Sequence, residues 1–168
     1  MPVMNSTDKG RLALATVALA SAGAVGLALI SQHAFELWPC DLCYLQRVPY
    51  ALNLLLGGLC IMPVVPPCER RIVLMHCALL FVLGAGFAGY HVGVEEHWWA
   101  GPTSCSGGGA VSLDDLATAL TQSVLPSCDE AAFRLLGISM AGYNFAASLF
   151  LAGFCIWAMR KLAWWDKQ

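Results

Sequence analysis

Residues 12–30 read LALATVALASAGAVGLALI, a run of 19 positions without a charged side chain. In a helix that rises 1.5 Å per residue, about 20 residues cover the roughly 30 Å hydrocarbon layer of a bilayer. A helix is expected because hydrocarbon offers the backbone no other hydrogen-bond partner. Lys9 and Arg11 ahead of the run also suit a signal peptide, but the apolar region of a signal peptide usually has only about 7–15 residues. We therefore predict a retained membrane-spanning helix.

Three further stretches have the same character. They cover residues 48–65, 72–94 and 138–159, and none contains Asp, Glu, Lys or Arg. The whole chain is 58% hydrophobic and 12% charged, about half the charged share of a typical soluble domain. We predict an all-α integral membrane protein, a single domain over residues 1–168 built as a four-transmembrane-helix bundle. Glycines in the second and third spans predict close helix contacts: Gly57, Gly58, Gly84 and Gly86.

The charged residues orient this bundle. Seven of the nine basic residues lie at the start, between spans two and three, or at the end: Lys9, Arg11, Arg70, Arg71, Arg160, Lys161 and Lys167. Cytoplasmic segments carry such an excess of Lys and Arg. We predict that both termini, the short loop 66–71 and the tail 160–168 are cytoplasmic. Loops 31–47 and 95–137 then face outward, which in a bacterium means the periplasm.

The eight cysteines divide by compartment. Two pairs fall in the predicted outer loops, Cys40 and Cys43 in the first, Cys105 and Cys128 in the second. Disulfides persist in oxidising compartments and are rare in the cytosol, so these four are the candidates for redox chemistry. The others lie within spans or in the inner loop, where cysteine usually acts as a small hydrophobe or a reduced thiol: Cys60, Cys77, Cys155 and Cys68.

The first pair forms a C-x-x-C motif, which redox centres, haem attachment sites and zinc sites all use. Haem attachment needs a histidine after the second cysteine, and Tyr44 stands there instead. Zinc needs further ligands, and His33 is the only histidine in that loop. No alternating strand–helix pattern surrounds the motif, as a thioredoxin-like domain would require. We predict a dithiol that cycles through a disulfide, and no bound metal.

Arg47 follows Cys43 by four residues, so a helix that begins near Cys43 places both on one face. A helix N-terminus and a nearby guanidinium both lower a thiol pKa and favour the reactive thiolate. The alternative for Arg47 is that its charge extends to the lipid headgroups.

The second pair has a different setting. Cys105 precedes Ser106 and three glycines, 107–109, which predict a mobile and accessible segment. Such a disulfide suits attack by an incoming thiolate. A structural disulfide remains the alternative.

Four spans with two outer cysteine pairs resemble the DsbB family of disulfide-bond formation proteins. The resemblance covers essentially the whole chain and depends on the combined pattern: P-C-x-x-C at the exit of the first loop, Arg47 after it, and then Cys105 and Cys128. The order of the pairs argues against a vitamin K epoxide reductase-like enzyme, in which the C-x-x-C follows the loop pair. A non-enzymatic membrane protein with structural or metal-binding cysteines stays open as a second alternative.

The resemblance implies a thiol:quinone oxidoreductase in the bacterial inner membrane. In the family, a reduced DsbA-like periplasmic oxidase attacks the cysteine at position 105. Electrons then pass to the Cys40–Cys43 pair, and from Cys43 to a bound ubiquinone or menaquinone beside Arg47. The DsbA–DsbB–quinone relay is the established means of keeping a bacterial periplasm oxidising, because a strong oxidant such as DsbA needs an acceptor of still higher potential.

The resemblance also implies which residues act. Cys40, Cys43, Cys105, Cys128 and Arg47 would be catalytic. Cys43 and Arg47 would contact the quinone together with His91, which matches a family histidine near the quinone site. The expected partners are the oxidase, membrane lipid and the quinone pool, with no nucleic acid. Gln46 stands where some relatives have an acid, and the glycines after residue 105 also differ, so a dedicated partner oxidase is possible.

Overall fold

The computed structural model describes residues 6–60, 66–102 and 127–161. Four helices dominate it: α1 Ser6–Ala34, α2 Asp41–Cys60, α3 Pro67–Glu95 and α4 Met140–Arg160. A short antiparallel hairpin precedes α4, with β1 Arg134–Leu135 paired to β2 Ile138–Ser139. The helical membrane bundle is thus as predicted, and the hairpin is a small departure from an all-α fold.

The hairpin is a two-residue turn followed directly by a helix cap. Leu136 and Gly137 both have positive φ, 52° and 82°, as a tight hairpin turn that matches strand twist requires. Ser139 ends β2, and its side chain accepts a hydrogen bond from the Gly142 N–H at the start of α4. The turn therefore fixes the point at which the chain re-enters the bundle.

The helices pack in the order α1, α2, α3, α4, and α1 and α4 contact each other only slightly. Their shared interior contains fully buried apolar side chains such as Leu14, Leu74, Phe81 and Cys155. On the outside, large apolar side chains such as Phe150, 76% exposed, point away from the protein. Exposed apolar surface around the bundle fits a lipid environment.

Within the described residues, three helical segments are long and apolar enough to cross a membrane: Lys9–Ala34, Glu69–Glu95 and Met140–Arg160. Helix α2 is the remaining helix of the bundle, and it carries more polar residues, among them Gln46, Arg47 and Asn53. It begins seven residues before the predicted span 48–65, and residues 61–65 lie outside the described part. The topology, the loop boundaries and the single-domain organisation stay predictions.

Of the four glycines predicted to lie at helix contacts, Gly57 and Gly84 do so. A Cβ at Gly57 would meet the Leu14 carbonyl oxygen at 3.0 Å and Ala18 at 3.1 Å, so α1 and α2 approach closely there. Gly84 lies against Pro49 and Ser148, whereas Gly58 and Gly86 have open space around them.

Candidate redox site

The C-x-x-C pair forms the N-terminus of α2. Cys40 lies just before the first helical residue, and its Sγ accepts a hydrogen bond from the Cys43 backbone N–H at 3.4 Å. This is the position in which a side chain caps the free N–H groups of a helix. The two sulfurs are 2.9 Å apart, and both cysteines are free thiols. Cys40 is buried and Cys43 half-buried.

The two thiols differ in acidity. A hydrogen bond from the Cys43 thiol lowers the pKa of Cys40, burial opposes this, and hydrogen bonds from His91 and the Cys43 N–H lower it further. The same thiol–thiol bond, together with burial, raises the pKa of Cys43. These contacts favour a thiolate on Cys40 in the reduced pair, and the helix N-terminus contributes through the Cys43 backbone N–H. The predicted role of a Cys43 thiolate towards quinone stays a prediction.

His91 of α3 contacts the dithiol from the neighbouring helix. It is 3% exposed, and its Nε2 lies 3.7 Å from Cys40 Sγ. Its Nδ1 lies 2.6 Å from Gln46 Nε2, while Gln46 Oε1 accepts a hydrogen bond from Asn144 Nδ2 at 2.6 Å. Because Gln46 donates to Nδ1, the ring proton sits on Nε2 and faces the sulfur; the network assigns this tautomer.

The same network continues into the bundle. Asn144 Oδ1 accepts from Ser148 Oγ at 3.4 Å, and Ser148 Oγ lies 2.8 Å from Tyr50 Oη. The polar chain thus runs from Tyr50 in α2 through α4 to Gln46, and then through His91 in α3 to Cys40. Each group in this chain can donate its hydrogen bond to the next group, so that all the hydrogen bonds run in the direction of the Cys40 sulfur.

Cys128 lies against the dithiol. It is fully buried, is disulfide-bonded, and packs with Cys40, Leu42 and Val94. Its Sγ, Cys40 Sγ and a His91 ring nitrogen all lie within 4.8 Å of one another. Cys105, the predicted partner of Cys128, lies outside the described residues. Sulfur and imidazole in this arrangement can hold a metal, but Cys128 in a disulfide offers no thiolate, and the expected absence of metal stays a prediction.

Arg47 lies one turn after Cys43 on α2, as expected. Its Nη1 donates to Gln32 Oε1 of α1 at 2.8 Å, and its guanidinium carbon lies 5.1 Å above the Tyr44 ring. These contacts hold the side chain at the α1–α2 junction.

A cavity of about 310 Å³ opens beside the dithiol, within the usual range for small-molecule sites of about 300–1,000 Å³. Most of its wall surface is apolar, with side chains such as Ala28 of α1 and Ala147 of α4. Thiol, polar and ionisable residues also line it: Ser31, Cys40, Cys43, Gln46, Arg47, Tyr50, His91, Glu95, Ser127, Glu130, Tyr143 and Asn144.

A family model described as disulfide bond formation protein DsbB matches residues 10–158 of the chain. The chain belongs to the DsbB family. It is 34% identical over 121 residues to disulfide bond formation protein B of Herminiimonas arsenicoxydans, a match that covers 69% of each chain. No solved structure matches it significantly.

Membership of the DsbB family makes this protein a transmembrane disulfide oxidoreductase that serves disulfide bond formation, and with its apolar helices it indicates an inner-membrane protein. The predicted resemblance is confirmed. The non-enzymatic alternative and the vitamin K epoxide reductase-like alternative are set aside.

The structure of this DsbB-family chain brings together Cys40, Cys43, Arg47, His91 and Cys128, all but Cys128 on the cavity wall. Their individual roles stay predictions. Sequence reasoning missed Glu95, Asn144 and Gln32 as members of the site. One signal was available: His91 and Glu95 are four residues apart and therefore share a helix face.

Proposed function

We propose that this DsbB-family protein reoxidises a reduced, DsbA-like periplasmic oxidase and passes the electrons to a membrane quinone. One observation carries the proposal: Cys40 Sγ lies within 4.8 Å of Cys128 Sγ and, with Cys43, also lines the cavity. The dithiol therefore lies near the disulfide-bonded Cys128 and also lines the cavity, which supports electron transfer from one to the other.

The proposed exchange steps use these positions together with the predicted 105–128 disulfide. An oxidase thiolate attacks Cys105, so the 105–128 bond breaks and Cys128 becomes a thiolate. Cys128 then attacks Cys40, the nearest sulfur of the oxidised pair, and Cys43 leaves as a thiolate. The second oxidase thiol then attacks the oxidase sulfur of the mixed disulfide, which forms the oxidase disulfide and releases Cys105 as a thiolate. Cys105 then attacks Cys128, which restores their disulfide and leaves Cys40 and Cys43 as a dithiol.

The residues at the cavity fit a quinone. Its wall is mostly apolar, and Arg47, His91 and the half-buried Cys43 all line it. Arg47 and His91 would hold the ring oxygens, with Cys43 beside the ring. A quinone bound there supplies a two-electron, two-proton acceptor whose potential exceeds that of the oxidase, which glutathione cannot supply.

The proposal includes the orientation of the bundle. The oxidase meets the chain in the periplasm only if loops 31–47 and 95–137 face outward, as the basic residues predict. Labelling single cysteines at positions 40 and 161 with a membrane-impermeant thiol reagent tests this. Reaction of Lys161→Cys with the reagent in intact cells would contradict the proposal. So would labelling that shows position 40 to face the cytosol.

The main experiment traps the first exchange step, in which the oxidase thiolate attacks Cys105. In Cys128→Ser, Cys105 has no intramolecular partner, so we expect a stable mixed disulfide between Cys105 and a periplasmic thioredoxin-fold protein. Cys105→Ser/Cys128→Ser is the control and should trap nothing. In parallel, the purified wild type should oxidise the reduced oxidase over repeated turnovers only when a short-chain benzoquinone is present. The absence of a mixed disulfide, or oxidation at equal rate without quinone, would contradict the proposal.

A further inference from the structure

Glu95 is a buried carboxylate at the end of α3. It is 7% exposed and lines the cavity beside the dithiol. Its Oε1 lies 3.8 Å from His91 Nε2, and its Oε2 has no hydrogen-bond partner among the described residues. A buried carboxylate oxygen without a partner is costly, so Oε2 is an acceptor available to a donor from the cavity.

His91 Nε2 stands between two acceptors. Cys40 Sγ lies 3.7 Å away and Glu95 Oε1 3.8 Å away. The hydrogen bond from Gln46 to Nδ1, held by Asn144, leaves a single ring proton, on Nε2. That one N–H serves either the sulfur or the carboxylate. Such contacts commonly tighten only when the site is engaged.

We propose that Glu95 is the redox-linked proton donor of this site. In the reduced pair the His91 N–H faces the Cys40 thiolate, and Glu95, lacking that hydrogen bond, holds a proton. When Cys40 and Cys43 form a disulfide, the sulfur loses its charge and the N–H turns to Glu95. The carboxylate is then stabilised as an anion and releases its proton into the cavity. The proposal rests on the proposed function, because the acceptor is the quinone.

The step balances. The reduced site holds a Cys40 thiolate, a Cys43 thiol and a protonated Glu95. Formation of the Sγ–Sγ bond removes two electrons, and the Cys43 and Glu95 protons leave with them, so one quinone becomes one quinol. The next oxidase dithiol brings two electrons and two protons, which restore the Cys43 thiol and the protonated Glu95.

Other groups face the same cavity and bear on its protonation. They are His91 on α3, Cys43, Arg47 and Tyr50 on α2, Cys40 ahead of α2, Tyr143 on α4, and Glu130 ahead of β1. Glu95 differs from Glu130 because Glu130 is exposed. Glu96, the next residue, points elsewhere and pairs with Arg134 at 2.8 Å.

The rate test compares two neighbouring carboxylates. Glu95→Gln keeps the shape of the side chain and removes the exchangeable carboxyl proton. We expect reduction of a short-chain benzoquinone by the reduced protein to slow about 100-fold, the usual effect of losing a general acid. Glu95→Asp should recover part of that rate. Glu96→Gln should match the wild type in this assay.

A second readout needs no quinone. Infrared difference spectra of quinone-free protein, reduced minus oxidised, should show the C=O stretch of a protonated carboxyl in the wild type and in Glu96→Gln. The band should be missing in Glu95→Gln. A band that persists in Glu95→Gln, its absence from the wild type, or an unchanged quinone reduction rate in Glu95→Gln would overturn the proposal.

The two proposals fail separately. A wild-type protein that cannot reduce benzoquinone defeats the proposed function, while the infrared band still reports whether Glu95 takes up a proton with the dithiol. A wild type with normal quinone reduction but no Glu95 band leaves the proposed function intact and removes Glu95 from the proton path.

Discussion

The Sγ atoms of Cys40 and Cys128 lie within 4.8 Å of each other, although they belong to different cysteine pairs and different loops. Leu42 and Val94 pack around them and bury both. This contact is the reason that we propose Cys40 as the exchange sulfur of the first pair; Cys40 and Cys43 both line the cavity.

The first prediction is a disulfide between the loops. In Cys43→Ser/Cys105→Ser only Cys40 and Cys128 remain of the four outer cysteines, and mild oxidation should join them rapidly, as seen by mass spectrometry of proteolytic peptides. The matched variant Cys40→Ser/Cys105→Ser, which keeps Cys43 and Cys128, should oxidise more slowly because Cys43 lies outside the group of mutually close atoms. Equal rates in the two variants would contradict the assigned roles.

The second prediction concerns pH. Since the Cys43 thiol, His91 and a backbone N–H all lower the pKa of Cys40, the reduced protein should keep one thiolate well below the usual thiol pKa of 9.0. A group with a lowered pKa stabilises the folded reduced state above its unfolded pKa, and this contribution is lost as pH falls through the folded value. Cys43, with a raised pKa, stays protonated throughout that window.

The measurement is the ultraviolet thiolate absorbance of wild type minus Cys40→Ser, titrated downward from pH 9. His91→Gln should move the midpoint upward, because it replaces the imidazole whose Nε2 lies 3.7 Å from Cys40 Sγ. A wild-type midpoint at or above the ordinary thiol value, or no change in His91→Gln, would show that the hydrogen bonds do not control this thiol.

The sequence predicted the bundle because uncharged runs of about 20 residues have few other outcomes. It also predicted that Cys43 and Arg47 share a helix face, since their spacing is local. It could not predict that Asn144 holds Gln46, because that contact joins residues 98 apart in sequence and depends on how α2 and α4 pack. The sequence also assigned Glu95 to the outer loop 95–137, whereas it is the last residue of α3 and is buried.

The third prediction tests Arg47. Arg47→Met removes a charge from the cavity wall and the hydrogen bond to Gln32. A hydrogen bond to a charged group contributes about 1.5–3 kcal/mol, so the apparent KM for a short-chain benzoquinone should rise by about 10-fold or more, with exchange unchanged. Arg134→Met is the control, because its ion pair with Glu96 is half-exposed and contributes little. Identical quinone titrations of Arg47→Met and wild type would remove Arg47 from the site.

The fourth prediction concerns packing of α1 against α2. An alanine Cβ at position 57 would press on the Leu14 carbonyl at 3.0 Å, and overpacking typically costs about 1–3 kcal/mol. Gly57→Ala should therefore lower the free energy of unfolding in detergent micelles. Gly58→Ala has open space and should be neutral or slightly stabilising, because alanine favours helix. Equal stability of the two variants would show that the helices are not in close contact at Gly57.

The fifth prediction tests the tautomer of His91. Asn144 Nδ2 donates to Gln46 Oε1, so Asn144→Leu leaves that buried acceptor unpaired, at a cost of about 1–3 kcal/mol. The Gln46 amide relieves this by turning its oxygen to His91 Nδ1, which moves the ring proton to Nδ1 and faces Cys40 with a bare nitrogen. The Cys40 pKa should then rise, as read by the same thiolate titration.

Asn53→Leu is the matched control for this last substitution. Asn53 is also a buried amide, but it donates to the Cys77 carbonyl at 3.4 Å and takes no part in the chain that ends on Cys40. Asn53→Leu should lower the free energy of unfolding and leave the midpoint of the thiolate titration unchanged. If the thiolate midpoint is the same in Asn144→Leu and Asn53→Leu, Asn144 contributes only to packing. If the midpoint rises in Asn144→Leu alone, a side chain on α4 controls the pKa of Cys40 through the position of one imidazole proton.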